Sequence, residues 1–451
     1  MVETGYARVL GYASESASCI LPRSLLARLG WRQGDIVNIA FGRASRPVKL
    51  RAGDDDVWRV STDLLRHIGL RPRKWLYCVD TGRKLIRFGP LIGIMTTWHV
   101  TPYFRSVMRA AARKGMMAVV FRPYDLRLGG RQMSAWALVG GGMQRIRVPW
   151  PDVVYNRIPN RGGELLGSTR ACRRLLARAS IPVFNSKFFH KWRIHRLLRR
   201  DEQARQYLPE TQPMVSMKQA RQFLHKYPMI YLKPNGGSKG QGIVRIRRGQ
   251  GYSVSFRRGH HNFQRTCTSW LEAGNLARRG MHRRTYVVQE GVPLARYHGR
   301  PFDVRVTLYK NGNGEWIPCG PAAKIAGRGS ITTHVANGGR VVPLDRVLRH
   351  VFGSEAETMR VRIETASIDL ARAVERVTGL ELGELGLDIG LTTQGRVAMF
   401  EANSKPGRAI FAAAWNRDDR RKSLSYLCDY AASLAGFTNS GVKTDAKTAN
   451  C

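Results

Sequence analysis

Three oxygen-bearing side chains near the carboxyl end of the chain have the types and spacing of a metal site. In "GLDIGLTTQGRVAMFEANSKPGR", Asp388 lies in one apolar run, and Glu401 and Asn403 lie in the next, across a "TQG" turn. Residues two apart on a strand share a face, and pairing of the two strands can bring Asp388 to that face. Carboxylate and amide oxygens are hard ligands that suit Mg²⁺. The alternative, a half-exposed polar strand face, fits poorly because an uncompensated carboxylate is costly in an apolar strand.

A glycine-rich segment upstream, "YLKPNGGSKGQGIVRI" at residues 231–246, has the composition of a phosphate-binding hairpin. It does not match GxxxxGK[ST], and no helix clearly follows it, so it is not a Walker-type loop. One apolar strand leads into the glycines and another leaves them. Glycine lets backbone N–H groups approach an anion closely, and Lys233 at the strand end could neutralise phosphate oxygens. Read alone, the segment fits a plain surface hairpin equally well.

The flanking sequence predicts the elements that position these residues. Around the glycine-rich segment, "KFFHKWRIHRLLRR" predicts a basic amphipathic helix from Lys187, and "MIYLKP" and "TYVVQEGV" predict strands. "PFDVRVTLYK" and "EWIPCGPAAKIAG" predict an antiparallel pair around the turn "NGNG". Earlier, "LIGIMTTW", "TPYFRSVMRAAARKGM" and "MAVVFRP" predict a strand–helix–strand unit, with Thr101 as N-cap and Gly115 as the helix stop.

An internal repeat opens the chain. "LPRSLLARLGWRQGDIVNI" at residues 21–39 reappears as "VSTDLLRHIGLRPRKWLYC" at residues 60–78. Each copy predicts a short helix, a glycine stop and a strand. Each unit is too small to bury a core alone, so we expect the two units to pack together around one common core. We therefore expect a small β-rich barrel that resembles a double-psi barrel; a chance repeat is the alternative.

The charge of the chain is unusually positive. Lys and Arg number 75 against 32 Asp and Glu, a formal net charge of +43. Such a surface attracts polyanions such as nucleic acid, anionic lipid or acidic polymer. The basic residues are spread along the chain, and no recognition-helix, zinc-finger or RNA-platform motif accompanies them, which argues against specific nucleic-acid recognition. A solvated basic surface is the plainer interpretation.

Other bulk properties indicate a globular chain. Its 451 residues with 43% hydrophobic content predict two to four domains at about 100–200 residues each. Seven scattered cysteines without a CxxC pair argue against a disulfide framework or a zinc site and indicate a reducing cytosol. The amino terminus "MVETGYARVLGYASES" lacks the pattern of a signal peptide. No apolar run reaches about 18 residues, so we expect no membrane span.

Together these segments resemble the YheC/YheD family of the ATP-grasp superfamily, described as endospore coat-associated. The resemblance covers nearly the whole chain and rests on "RFGPLIGIMT", "PDVVYNRI", "FNSKFFHKW", "IYLKPNGGSKGQGIVRI", "VVQEGVPLA", "GRPFDVRV" and "LDIGLTTQGRVAMFEANSKPG", in this order. It implies an α/β (α+β) fold. We expect a double-psi-like β-barrel at residues 1–90, a pre-ATP-grasp α/β domain at 91–180, an ATP-grasp domain of two α+β subdomains at 181–436, and a disordered tail at 437–451.

The resemblance also implies roles for individual residues. Lys187 and Lys233 would bind phosphate, and Arg305 and Lys324 would contact substrate and γ-phosphate as catalytic residues. The mobile glycine loop over the phosphates would comprise Gly236, Gly237, Ser238, Gly240 and Gly242. The hinge whose backbone meets adenine would comprise Gln289, Glu290, Gly291 and Val292. Mg²⁺ would be held by Asp388, Glu401 and Asn403. The sequence departs from the ribose-binding pattern of many ATP-grasp enzymes, because no carboxylate follows the hinge before Asp303.

The implied activity is ATP- and Mg²⁺-dependent ligation of a carboxylate to an amine through an acyl phosphate, linked to spore coat formation. Such a reaction needs no protein nucleophile, in agreement with the lack of a Ser/His/Asp or Cys/His pattern. The alternatives are a non-catalytic or ATP-binding coat protein and a charge-driven polyanion or nucleic-acid binder. Expected partners are ATP, carboxylate and amine substrates that include an acidic peptide or polymer, and spore coat proteins, in the cytoplasm or the spore.

Overall fold

The computed structural model describes residues 2–130, 132–236, 240–259, 261–282, 284–333 and 337–437. The described chain forms two compact units. The first comprises the residues up to Ser186, Lys310–Glu315 and the residues from Leu424 onward, and the second comprises Lys187–Tyr309 and Trp316–Ser423. In the described ranges, no helix has both the length and the apolar character needed to cross a bilayer.

The first unit begins with a closed barrel of seven strands. Its elements are β1 (Val2–Tyr12), β2 (Ser18–Pro22), α1 (Arg23–Leu29), β3 (Ile36–Phe41), β4 (Ala44–Gly53), β5 (Trp58–Ser61), α2 (Thr62–Ile68), β6 (Arg73–Asp80) and β7 (Leu85–Phe88). The strand order is β1-β5-β2-β4-β3-β7-β6, and antiparallel pairing of β1 with β6 closes the barrel. The predicted N-terminal barrel is confirmed.

The repeat in the sequence corresponds to two equivalent strand–helix–strand segments of this barrel. Helix α1 follows β2 and ends at Gly30, and α2 follows β5 and ends at Gly69; both glycines have positive φ. The aligned apolar residues of each helix are buried in one core: Leu25, Leu26, Leu29, Leu64, Leu65 and Ile68. The repeat therefore reflects two small half-units that share a core, as expected.

A second sheet of the first unit follows the barrel. Its elements are β8 (Leu91–Met95), α3 (Pro102–Arg113), β9 (Met117–Phe121), β10 (Gln132–Val139), β11 (Gly142–Pro149), β12 (Val153–Asn156), α4 (Arg161–Leu165), α5 (Gly167–Arg178) and β13 (Val183–Phe184). The order is β11-β10-β9-β8-β12-β13, and β8 is parallel to both β9 and β12. Helix α3 begins as predicted, with the Thr101 hydroxyl accepting from the Phe104 N–H. The β10–β11 hairpin was not predicted.

The second unit contains two further sheets, of which the first carries the glycine-rich segment. Its elements are α6 (Lys191–Leu198), α7 (Glu202–Arg205), β14 (Thr211–Met214), α8 (Met217–Lys226), β15 (Met229–Pro234), β16 (Val244–Arg248), β17 (Tyr252–Arg258), β18 (His261–Cys267), α9 (Trp270–Gly280) and β19 (Tyr286–Glu290). The strand order is β14-β19-β15-β16-β17-β18. Strands β15 and β16 pair in antiparallel fashion, which confirms the hairpin on either side of the glycines.

The other sheet of the second unit carries the predicted metal ligands. Its elements are β20 (Arg296–Tyr297), β21 (Arg300–Lys310), β22 (Trp316–Ile325), β23 (Arg340–Pro343), α10 (Leu344–Phe352), α11 (Ala356–Thr378), β24 (Glu384–Leu391) and β25 (Val397–Asn403), and α12 (Arg417–Leu434) follows. The order is β23-β22-β21-β24-β25, with β20 paired to β21. Two sheets with their helices confirm the mixed α/β class and the expected α+β halves.

Some expectations differ from the structure or lie outside it. The helix predicted from Lys187 begins at Lys191, because Asn235 caps it there: its side-chain oxygen accepts from the Trp192 N–H at 3.0 Å. In the predicted tail, Phe437 is buried, and residues 438–451 lie outside the described ranges. The domain boundaries at residues 90, 180 and 436 stay predictions.

Candidate functional site

A cleft in the second unit brings together residues from both of its sheets. The cleft has a volume of about 840 Å³, counting its open mouth. Residues that line it are Lys191, Tyr231, Lys233, Pro234, Gly240, Gln241, Ile243, Gln289, Glu290, Val292, Leu294, Asp303, Ile331, Thr332, Thr333, Asp388, Phe400 and Glu401. Apolar side chains, two lysines and four carboxylates therefore share one cavity, which combines apolar walls with a small number of charged groups as ligand sites commonly do.

One row of charged residues crosses the second sheet of this unit. Arg305 on β21 lies directly opposite Asp388 on β24, which lies directly opposite Glu401 on β25. Directly opposed residues of antiparallel strands point to the same face. Asn403 lies two residues beyond Glu401, so it shares the face. The register thus places all three predicted metal ligands, and the predicted catalytic arginine, on one side of the sheet.

Asp388 is the centre of a buried ion-pair network. The Arg305 guanidinium donates to both carboxylate oxygens, at 2.8 and 2.9 Å, and the Lys324 ammonium donates to Oδ1 at 2.8 Å. The side chains of Asp388 and Lys324 are only 6% and 7% exposed. Burial alone would raise the pKa of Asp388, but the Arg305 and Lys324 charges outweigh it and hold that pKa well below its ordinary value.

Asp303 completes this network from the neighbouring strand. Its Oδ1 lies 3.1 Å from the Lys324 ammonium, and its Oδ2 accepts from the Thr333 hydroxyl at 2.6 Å. Burial, together with the negative charge of Asp388, raises the pKa of Asp303 despite the attraction of Lys324. The two aspartates therefore have opposite pKa shifts, because Asp388 has two cationic partners while Asp303 shares one of them.

Two lysines face the cleft from different elements. Lys191, the first residue of α6, forms an ion pair with Glu401 at 2.6 Å. Lys233 on β15 donates to Gln289 Oε1, while Gln289 Nε2 donates to the Thr211 hydroxyl at 2.9 Å. Burial, and then repulsion by the Lys191 ammonium, lowers the pKa of Lys233 to about 8. Both lysines thus face one region of the cleft.

The predicted hinge, residues 289–292, approaches the start of strand β15 closely. The Gly291 N–H donates to the Met229 carbonyl at 2.8 Å, and a Cβ at Gly291 would lie 2.5 Å from the Met229 side chain. Only glycine fits there without a shift of one of the two strands. Glu290 and Val292 on either side of it line the cleft. The hinge segment therefore lies where its backbone can meet a ligand in the cleft.

The structure brings together some of the predicted site residues and not others. Those that line the cleft are Lys233, Gly240, Gln289, Glu290, Val292, Asp388 and Glu401. Described residues that are not part of its lining are Lys187, Gly236, Gly242, Gly291, Arg305, Lys324 and Asn403. Arg305 contacts the lining residue Asp388, Lys324 contacts the lining residues Asp388 and Asp303, and Lys187 is exposed. Gly237 and Ser238 lie outside the described residues.

Several lining residues were not assigned a role from the sequence. They include Lys191, Tyr231, Thr333 and Phe400, with Asp303 noted only as the first carboxylate after the hinge. The sequence pattern could have indicated a role for Lys191, because this residue follows Lys187 by about one helical turn in "KFFHKW". It also precedes the apolar positions Ile194 and Leu198 of the same predicted helix. No local sequence pattern indicated Thr333, since its contact with Asp303 joins residues from different segments of the chain.

The carboxylate oxygens of the cleft are the type of ligand that a hard divalent cation prefers. Asp388 and Glu401 are opposed on neighbouring strands and both line the cleft. A carboxylate offers about four lone-pair positions, so the bonds that Asp388 accepts from Arg305 and Lys324 leave room for a further ligand. Across the described ranges, no three His, Cys, Asp or Glu side chains are arranged as a ready metal site. The carboxylates of Asp388 and Glu401 therefore fit the oxygen-ligand chemistry of Mg²⁺ and would be the residues to hold it.

Comparisons with known proteins identify the family. A family model described as YheC/D like ATP-grasp matches residues 180–434. Endospore coat-associated protein YheD of Bacillus subtilis is 32% identical over 348 residues, 72% of this chain and 75% of that protein. YheC of the same organism, also named endospore coat-associated, is 21% identical over 314 residues, 69% of this chain and 86% of that protein.

Solved structures of lower identity also match. D-alanyl-alanine synthetase A from Vibrio cholerae is 14% identical and has a TM-score of 0.46, covering 77% of this chain and 99% of that chain. The family model matches more than half of the chain, and YheD exceeds 30% identity over three quarters of its length. The chain belongs to the YheC/D-like ATP-grasp family.

Proposed function

We propose that this protein is an ATP- and Mg²⁺-dependent ligase that joins a carboxylate to an amine through an acyl phosphate. The observation that carries the proposal is the convergence of Lys191, Lys233, Asp388 and Glu401 on one cleft in a chain of this family. A cleft with paired lysines and paired carboxylates suits a metal-bound polyphosphate, because each charge type has its complement there.

The proposed reaction has two steps. A substrate carboxylate oxygen attacks the γ-phosphorus of ATP, the bond to the β-phosphate oxygen breaks, and ADP leaves. The amine nitrogen then attacks the acyl carbon, and inorganic phosphate leaves as the nitrogen loses a proton. Neither step needs a protein nucleophile, so the protein acts by position and charge.

The nucleotide would lie between the two sheets of the second unit. Lys191 and Lys233 would contact the phosphates, and the backbone of residues 289–292 would contact adenine, with Phe400 and Leu294 as apolar walls. The hairpin between β15 and β16 would close over the phosphates and exclude water from the acyl phosphate. Lys191 takes this role in our proposal because it lines the cleft, whereas Lys187 is exposed.

Asp388 and Glu401 would hold Mg²⁺, with Asn403 on the same strand face as a further candidate ligand. A bound Mg²⁺ offsets charge on the phosphates. Arg305 and Lys324 keep Asp388 ionised and oriented through the bonds described above. Because both cations lie beside the metal ligand, they are also placed to attract the γ-phosphate and the substrate carboxylate, which is the role we propose for them.

A link to the spore coat is the second part of the proposal. The names of YheD and YheC, endospore coat-associated, support association of this protein with the coat. The same names favour a second candidate function, a coat protein that binds ATP without turnover. Thermal stabilisation by Mg²⁺ and ATP without release of ADP would favour that candidate.

A hydroxylamine trap tests the ligase directly. With ATP, Mg²⁺ and a panel of carboxylates that includes glutamate-rich peptides, we expect hydroxamate formation with release of ADP and phosphate in equal amounts. Hydroxylamine replaces the unknown amine, so only the acid must be found. The Asp388→Asn variant serves as the control for contaminating ATPases. No hydroxamate and no ADP release across the panel would count against a ligase.

The affinity for ATP should decrease as the pH rises through about 8. The pKa of Lys233 in the free protein is lowered to about 8, so its ammonium is present below that pH and lost above it. If only the charged form binds phosphate, the Kd for ATP increases about tenfold per pH unit above the pKa. Isothermal calorimetry across this range measures the profile. In Lys233→Arg, which stays charged, the profile should be flat; a flat profile in the unmodified protein would contradict the assignment.

A further inference from the structure

One long segment of the second unit is free of acidic residues. The stretch from Thr211 to Leu271 has no Asp or Glu, between Glu210 and Glu272, although the chain has 32 acidic residues in total. Its basic residues are Lys218, Arg221, Lys226, Lys233, Lys239, Arg245, Arg247, Arg248, Arg257, Arg258 and Arg265. Lys226 and Arg265 pair with Glu210 and Glu272 at the two ends of the segment, and within the segment itself there is no carboxylate side chain to offset the other cations. The segment therefore attracts anions more strongly than the average surface of this chain.

The strands β16, β17 and β18 place part of this charge on one face of the sheet. We call this the polar sheet face; it consists of Arg245, Arg247, Ser253, Ser255, Arg257, Asn262, Gln264 and Thr266. Register pairs these residues across the strands: Arg245 opposes Ser255, which opposes Gln264. The other face carries Val244, Ile246, Val254 and Phe256, which are buried in a core with α9. The polar sheet face thus has three arginines and no apolar side chain.

The outer strand of this sheet is open. Each residue from His261 to Thr266 is exposed on both faces of β18. Within the described ranges, the backbone of β18 hydrogen-bonds to β17 alone, and the Asn262 side chain donates to the Arg328 carbonyl at 3.2 Å. An open strand edge presents N–H and C=O groups that another extended polypeptide can pair with. Nucleic acid cannot match that alternating pattern, so the edge favours a peptide.

The polar sheet face continues into the cleft. Tyr231 lies directly between Arg245 on β16 and Gln289 on β19, and both Tyr231 and Gln289 line the cleft. A chain lying on the polar sheet face would therefore lead toward the candidate site. We propose that the polar sheet face and the β18 edge together bind an extended acidic polypeptide. This goes beyond the ligase proposal, since binding at this surface does not require turnover.

Arginines on an edge strand have a second explanation. Charged side chains at sheet edges also prevent unwanted pairing between copies of a protein. That explanation predicts no preference for an acidic peptide, and it predicts self-association when the charges are removed. The two explanations therefore differ in a binding experiment.

The test uses the full chain without nucleotide. The probe is a fluorescein-labelled peptide of alternating Glu and Thr, longer than the seven-residue β18, and the readout is anisotropy. The test variant is Arg245→Glu, Arg247→Glu and Arg257→Glu together, the three arginines of the polar sheet face. The matched control is Arg51→Glu, Arg105→Glu and Arg109→Glu, three exposed arginines of the first unit, which changes the net charge equally. We expect at least about tenfold weaker binding in the test variant and less than about twofold in the control.

Two further probes use the unmodified protein, so they do not depend on folding of a variant. The same peptide with N-methylation at alternate residues keeps its charge but loses backbone donors, and we expect it to bind at least about fivefold more weakly. Equal binding of both peptides would overturn the strand-edge role. Single-stranded DNA of equal charge should bind more weakly than the peptide. Stronger DNA binding, or equal losses in both triple variants, would overturn the proposal.

Discussion

Replacement of Asp388 by asparagine is expected to reduce the free energy of unfolding by about 3–5 kcal/mol, because it leaves Arg305 and Lys324 buried without a counter-charge. Urea denaturation at neutral pH measures the change. The pKa of Asp388 is depressed in the folded state, so its contribution is present above the unfolded pKa of about 4 and lost only as the pH falls through the folded value. The deficit of Asp388→Asn should therefore be constant from about pH 5 to 8.

Asp303→Asn is the matched control for this prediction. Asp303 is buried on the adjacent strand and also contacts Lys324, but burial raises its pKa whereas the pKa of Asp388 is lowered, so the folded protein favours the Asp303 carboxylate less than the Asp388 carboxylate. Its loss should reduce stability by no more than about 1 kcal/mol, the value of its hydrogen bond with Thr333. Equal losses for the two variants would show that Asp388 is not the centre of the network.

Lys191→Met is expected to weaken ATP binding by about ten- to hundredfold, whereas Lys187→Met should change it by less than about twofold. A charged hydrogen bond to phosphate contributes about 1.5–3 kcal/mol, and Lys191 lines the cleft while Lys187 is exposed. The Kd measured by isothermal calorimetry in the presence of Mg²⁺ gives the comparison without knowledge of the substrate.

The pair of variants also decides between the two lysines. A large effect of Lys187→Met, with a small one of Lys191→Met, would support the role expected for Lys187 from the family resemblance. Lys191→Arg should restore part of the affinity because it keeps the charge. Thermal denaturation of each variant separates a loss of binding from a loss of folding.

Much of the fold was predictable from local patterns. The repeat around Leu25 and Leu64 predicted a shared core, and the runs around Lys233, Asp388 and Glu401 predicted the strands that carry them. The family resemblance is confirmed by the matching family model. These features were visible because apolar periodicity and glycine positions act within a few residues of each other. The β10–β11 hairpin and the β17–β18 pair were not predicted; β11 and β18 are rich in polar and charged residues, so their apolar alternation is weak.

The site was less predictable, because its contacts join distant segments. Asp388 pairs with Arg305 and Lys324, which are 83 and 64 residues away in the sequence. Residue types indicated a metal ligand, and the family resemblance implied two substrate-binding cations, but neither indicated that these residues form one buried network. Lys187 and Lys191 could not be separated from sequence, since the start of α6 depends on a cap from Asn235, which lies 43 residues further along. The roles of the individual site residues stay predictions until the variants are measured.

Asn235 connects two elements of the candidate site. It directly follows β15, which carries Lys233, and precedes the glycines; its side chain and carbonyl hold the first N–H groups of α6, which starts at Lys191. Asn235 is thus a shared contact between the strand that carries Lys233, the base of the hairpin and the helix that carries Lys191. Asn235 therefore joins the end of β15 directly to the start of α6, whose first residue, Lys191, pairs with Glu401. A single residue thus fixes the strand that carries Lys233 to the helix that carries Lys191, and so helps to set the spacing of the two lysines.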